Sequence, residues 1–168
     1  MAPIKLRHRA RLRAKDLERF AEAIRSDLGT TPFDVTSTVD RAEATDRFDV
    51  LLVDGKPLAM LLKAPGGERP FPTVKGLLAA RPERRHVTVD MGAVKFVVNG
   101  ADVMAPGIVE ADPGIRPGDL VWVRDERNKQ PLAVGEALLA GASMPRGPKG
   151  KAVKSLHYLG DELWNVEV

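Results

Sequence analysis

The chain opens on an alternation with a period of two. Ile4, Leu6, Ala10 and Leu12 hold even positions, while Lys5, Arg7, Arg9, Arg11, Arg13 and Lys15 hold odd ones. Successive side chains of a strand point to opposite faces, so this segment is expected to bury its aliphatic side and present a single ridge of positive charge. Such a row serves equally well to keep an edge strand from pairing with other chains. From Asp16 the period becomes helical, with Leu17, Phe20, Ala21, Ile24 and Leu28 on one face and Gly29 where a left-handed C-cap belongs. Residues 33–44 read as extended. The runs 48–53 and 58–62 flank Asp54-Gly55, a pair suited to a tight reversal, and predict a hairpin. After a loop over 64–69, Pro72 and Thr73 open a short helix carrying Val74, Leu77 and Leu78, which Pro82 ends.

Beyond Pro82 the punctuation changes. Glycine and proline recur at Gly92, Gly100, Pro106-Gly107, Pro113-Gly114, Pro117-Gly118 and Gly147-Pro148, separating short β-branched runs. Strands are expected over 87–89, 103–109, 120–124, 132–139, 153–158 and 163–168, with Gly160-Asp161 turning the last pair. Closely spaced strands of this kind suit a small barrel, whose closure removes exposed edges. The pattern thus divides the chain into an α+β domain over 1–82 and a mostly β domain over 83–168. Trp122 and Trp164, set among alternating aliphatic residues, read as core.

Composition narrows the classes. With 43% hydrophobic and 29% charged residues, the 168-residue chain is that of a soluble globular protein. No run of eighteen apolar residues and no apolar stretch behind the basic start indicates a membrane span or secretory signal, so a cytoplasmic location is expected. The absence of cysteine excludes disulfides and thiolate metal sites, and His8, His86 and His157 are too scattered for a local metal motif. Net charge is only +3. Basic residues nevertheless concentrate in the first segment and at Arg146, Lys149, Lys151 and Lys154, within an acid-free window over 137–160. Local clusters of this kind suit a polyanion, because phosphate contacts release condensed counterions. No P-loop, dinucleotide fingerprint, zinc-protease helix or nucleophile elbow is present, and no carboxylate pair stands out for acid–base work. The expectation is a binding protein without cofactor or metal, not an enzyme.

One stretch carries more information than the rest. Asp90-Met91-Gly92-Ala93, then Asn99-Gly100-Ala101, then Val103-Met104-Ala105-Pro106-Gly107-Ile108 resembles the signature of PUA domains, and 119–123, 132–137 and 150–154 follow in the order of that family. The segments 53–58, 70–73, Leu77-Leu78 and 156–164 look like the malignant T-cell-amplified-sequence family and its archaeal relatives. That resemblance implies an α+β pre-PUA domain followed by a mostly β PUA pseudo-barrel, and a short helix where the run 92–100 alone suggests a strand. It also implies RNA as partner, tRNA or rRNA, with contact to the acceptor end of tRNA on the small ribosomal subunit, in company with a density-regulated type of protein. The lack of cysteine and the strongly basic first segment depart from the family. No SUI1-like domain is attached, so an initiation role implies a separate SUI1-like translation factor.

The candidate RNA-binding residues follow from both lines. Gly92, Gly100 and Gly107 leave no side chain between backbone amides and a ribose-phosphate strand, although each also suits an ordinary barrel turn. Ala93, Ala101, Met104 and Pro106 belong to the same signature. Lys95, Lys151 and Lys154 are candidate phosphate contacts. His157 and Tyr158 are candidates for stacking on an unpaired base, with strand packing as the plain alternative. Lys5, Arg7, Arg9, Arg11 and Arg13 form a possible second basic surface. As an alternative function, that edge would serve a protein-interaction adaptor of the ribosome or of an RNA-modification complex.

Overall fold

The computed structural model describes residues 3–168. Internal contacts divide the chain into two units. One holds the chain up to Pro82 together with Glu162–Val168; the other holds Glu83–Asp161. The last seven residues therefore group with the first unit.

In the first unit five strands form an antiparallel meander in chain order: β1 (Arg7–Arg11), β2 (Val39–Glu43), β3 (Phe48–Val53), β4 (Lys56–Ala64) and β5 (Gly67–Pro72). Every residue of β3 is buried, as befits the central strand. Helix α1 (Ala14–Leu28) turns Leu17, Phe20, Ala21, Ile24 and Leu28 inward and stops at Gly29, whose φ of 87° is the expected left-handed cap. Helix α2 (Val74–Ala80) is N-capped by Thr73, whose hydroxyl accepts from the Gly76 amide.

Four expectations require correction here. The first strand does not alternate: all five residues of β1 are exposed, Ala10 included. A bulge between Arg7 and Ala10, with His8 at φ 51°, breaks the period, and aliphatic burial falls to the flanking Ile4 and Leu12. The loop expected over 64–69 is a tight turn leading into β5, where Pro70 and Pro72 are tolerated because the strand lies at the sheet edge. Extended structure begins only at Val39. Ahead of it the Asp34 carboxylate accepts from the Thr36 amide at 2.8 Å and closes a turn. Finally, 163–168 forms no strand beyond an isolated bridge from Glu167 to Lys5; Leu163 and Val166 are buried within turns instead.

The second unit is a nearly closed β pseudo-barrel of six strands in the order β7-β11-β10-β9-β6-β8. These are β6 (His86–Val89), β7 (Val103–Met104), β8 (Ile108–Ala111), β9 (Leu120–Asp125), β10 (Pro131–Ala137) and β11 (Lys151–Tyr158), all antiparallel except the β6–β9 pair. The core gathers Val87, Val89, Ile108, Ile115, Val121, Val123, Ala133, Met144 and Val153. Helix α3 (Met91–Val97) occupies the run that periodicity alone makes a strand, as the family resemblance implies. The single strand expected over 103–109 is cut in two by a turn of 3₁₀ helix at Ala105–Gly107, because Pro106 fixes its own φ and donates no hydrogen bond. Trp122 is buried and donates its indole N–H to the Arg84 carbonyl, whereas Trp164 is only half-buried, with the Lys75 ammonium 4.9 Å from its ring centre.

Candidate nucleic-acid interface

A groove of about 670 Å³ runs along α3 in the second unit, bounded by β7, the 3₁₀ turn and the start of β11. Its geometry begins with Asp90, which N-caps α3 by accepting the Ala93 amide at 3.0 Å. The cap aims Ala93, Phe96 and Val97 along one helix face into the groove. Opposite them, Gly107 lies so close that an added Cβ would stand 3.2 Å from Ala93 Cβ. Glycine here is what lets the turn approach the helix. The rim exposes two large apolar side chains, Phe96 at 57% and Met104 at 43%; in the same unit only Leu138 is comparably exposed among the described residues.

Of the residues expected from sequence, Gly92, Ala93, Ala101, Met104, Pro106, Gly107 and Lys151 line this groove together. Lys95 does not line the groove; it stands on the same helix with its ammonium 5.2 Å from the Phe96 ring centre. Gly100, Lys154, His157 and Tyr158 do not line it. His157 requires correction: it is 1% exposed, and its Nδ1 lies 2.9 and 3.0 Å from the two Asp161 oxygens, so its ring is unavailable to a base. Tyr158 is half-buried against the barrel core, with its ring against Gly100. Lys154 is exposed on β11. The second basic surface is also altered: Arg9 and Arg11 both reach the Asp40 carboxylate of β2, at 2.9 and 2.7 Å, and Arg13 pairs with Asp16 at 3.4 Å. The ridge is therefore largely a set of ion pairs along an edge strand.

Sequence reasoning missed Asp90, Phe96, Val97, Asp102 and Val103, which complete the lining. The spacing of Ala93, Phe96 and Val97 at three and four residues was the available signal, legible once the run is read as helix. The two carboxylates give the groove its charge pattern. Asp102 Oδ1 accepts the Ser155 amide at 2.9 Å, and Oδ2 lies 3.0 Å from Lys151 Nζ. The Ser155 amide, then the Lys151 ammonium and the nearby Lys154 charge, hold the Asp102 carboxyl below the usual carboxylate range, against the opposing effect of its partial burial. On the far side, Arg146 Nη1 donates to Asp90 Oδ2 and to the Pro106 carbonyl, both at 2.8 Å. Among the described residues no group of His, Cys, Asp and Glu is arranged to hold a metal ion, and no helix is long and apolar enough to cross a membrane.

The PUA domain family model matches residues 85–159, the pseudo-barrel with its groove. A conserved PUA domain protein of Thermoplasma acidophilum superposes with a TM-score of 0.77 at 30% identity, over 94% of this chain and 97% of that one. This chain belongs to the PUA-domain proteins. Its relatives include the malignant T-cell-amplified sequences. An uncharacterized protein of Methanocaldococcus jannaschii is 50% identical over 123 residues, which cover 73% of this PUA-domain chain and 74% of that one. Translation machinery-associated protein 20 of Saccharomyces cerevisiae is 38% identical over 88 residues, about half the length of each chain, at 49%.

Proposed function

We propose that this protein binds RNA in translation by taking the single-stranded acceptor end of tRNA, or a comparable end of another structured RNA, into the groove beside α3. Membership of the PUA-domain proteins and kinship with a translation machinery-associated protein support RNA binding in translation. The observation that carries the finer reading is the groove itself. Phe96 and Met104 stand exposed at its lip, while Lys95 and Lys151 lie within reach of a backbone. An unpaired base stacks on such a side chain for about 1–3 kcal/mol, and lysines contribute the salt-dependent remainder. Bases within a duplex are paired along their edges and stacked on both faces, and a terminal pair offers one face only, so the geometry favours a dangling strand, whose bases can be splayed out, over a helix. The protein acts by binding, not by catalysis, in the cytoplasm, with the small ribosomal subunit or a SUI1-like factor as partner.

The test is tRNA binding across a salt series with intact and trimmed 3′ ends, for the unaltered protein and for Lys151→Glu with Lys154→Glu. A steep salt slope, loss on trimming and a weaker double variant support the reading. Equal affinity for tRNA and for duplex DNA of the same length counts against it.

A second reading, the adaptor, has one observation in its favour: β1 is an edge strand with all five side chains exposed, available to a partner's sheet. If Arg7, Arg9 and Arg11 changed to Glu leave RNA affinity intact but abolish capture of a SUI1-like factor, the adaptor role is supported.

A further inference from the structure

Two cations beside the groove are held by acids. Lys151 Nζ lies 3.0 Å from Asp102 Oδ2, and Arg146 Nη1 lies 2.8 Å from Asp90 Oδ2. Neither carboxylate depends on its cation to stay where it is. Asp102 is anchored from behind by the Ser155 amide, and Asp90 by the Ala93 amide at the start of α3. Both line the groove, so a phosphate drawn toward Lys151 meets a fixed negative charge that already occupies the lysine. Lys151 is 62% exposed, whereas Asp102 is 27% exposed and its Oδ1 is held by the Ser155 amide.

Resting on the reading of this groove as the RNA site, the geometry points to Asp102 and Asp90 as specificity-determining residues: they hold Lys151 and Arg146 in exchangeable ion pairs that a phosphate must break. A polyanion that brings charge alone gains little from the exchange, because one ion pair replaces another and the freed carboxylate repels the incoming strand. A single-stranded end gains the base contact with Phe96 and Met104 as well, and that contact decides the balance. The acids thus lower affinity for a bare phosphate backbone more than for an unpaired end, and so sharpen the preference for that end.

Asp102→Asn tests this with little structural change, since the amide oxygen of Asn still accepts the Ser155 N–H. Affinity for both tRNA and blunt duplex RNA is expected to rise, on the order of three- to tenfold for the duplex and less for tRNA, with a salt slope steeper by roughly one. The ratio between the two RNAs then falls. In a Lys151→Gln background the same substitution is expected to raise duplex affinity by a clearly smaller factor, because only the repulsion by the carboxylate is then removed. Thermal unfolding of each variant establishes that the fold is retained, and Asp90→Asn, whose side chain still caps α3, provides the parallel test at Arg146. If Lys151→Gln weakens tRNA binding but Asp102→Asn leaves duplex affinity unchanged or reduced, the groove reading stands and the acid gate is overturned. An undiminished effect of Asp102→Asn in the Lys151→Gln background likewise overturns the gate. If Lys151→Gln itself changes nothing, the groove reading and the gate fall together.

Discussion

Tyr158 lies under Gly100: an added Cβ on Gly100 would stand 2.8 Å from Tyr158 Cε1, and the glycine sits at φ 91°. The turn that follows α3 ends there, with the Gly100 amide donating to the Val97 carbonyl at 3.0 Å. Two separate costs therefore attend Gly100→Ala, one from the left-handed backbone and one from the ring. The expected destabilisation of the pseudo-barrel is about 2–4 kcal/mol, read by thermal or denaturant unfolding. In a Tyr158→Ala background the steric part disappears, and the further cost of Gly100→Ala falls to the backbone part of about 1 kcal/mol. Equal costs in both backgrounds would mean that the ring does not constrain this position.

Phe96 separates binding from stability. At 57% exposed its side chain contributes little to the core, so Phe96→Ala is expected to change unfolding free energy by less than about 0.5 kcal/mol. Affinity for a tRNA with an intact 3′ end is expected to fall about 5- to 100-fold, the equivalent of one lost stacking contact, while affinity for blunt duplex RNA stays the same. An equal loss for both RNAs would show that the ring acts on α3 and not on a base.

The periodic parts of this chain were legible before any coordinates. The helix read from Asp16 to Leu28 and observed from Ala14, its Gly29 cap, the hairpin about Asp54-Gly55 and most barrel strands follow from spacing and turn chemistry. The failures have local causes. His8 at positive φ breaks an alternation that six basic residues advertise, and no periodicity announces a bulge. The segment 64–69 reads as a loop ahead of Pro72, and only the sheet order reveals an edge strand there, in which Pro70 and Pro72 are tolerated. His157 looked like a stacking group because its buried acid partner, Asp161, lies four residues away across a turn. The groove was half legible: its small residues carry a signature, while Asp90 and Asp102 acquire meaning only beside Arg146, 56 residues from one, and Lys151, brought up by β11 pairing with β7.

Acidification provides a test of the Asp102 anchor. The Ser155 amide, followed by Lys151 and Lys154, holds this carboxyl below its ordinary value in the folded protein. A group depressed by folding adds stability that is fully present above its unfolded value of about 4 and is lost as pH falls through the folded one. The unaltered protein is therefore expected to be more stable than Asp102→Asn near neutral pH, and the two should converge as pH drops below the carboxylate range. Unfolding temperatures recorded from pH 7 downward check this. A difference that persists undiminished into strong acid would mean that the negative charge of Asp102 is not what stabilises the fold.

The last seven residues supply the sharpest test of where the units divide. Leu163 is 2% exposed and Val166 8%, and Lys75 of α2 rests over the Trp164 ring, so this segment contributes core to the first unit, although it follows the barrel in sequence. Removing most of a buried leucine side chain costs about 2–5 kcal/mol when the surroundings cannot collapse. Leu163→Ala is accordingly expected to speed amide exchange in β3 and β4 while leaving β9 and β10 protected, because the two sheets open as separate cooperative units. RNA affinity in the α3 groove should remain within about twofold, since every residue lining it lies in Glu83–Asp161. If β9 and β10 lose protection instead, the C-terminal segment belongs energetically to the barrel, and the division falls at Pro82 alone.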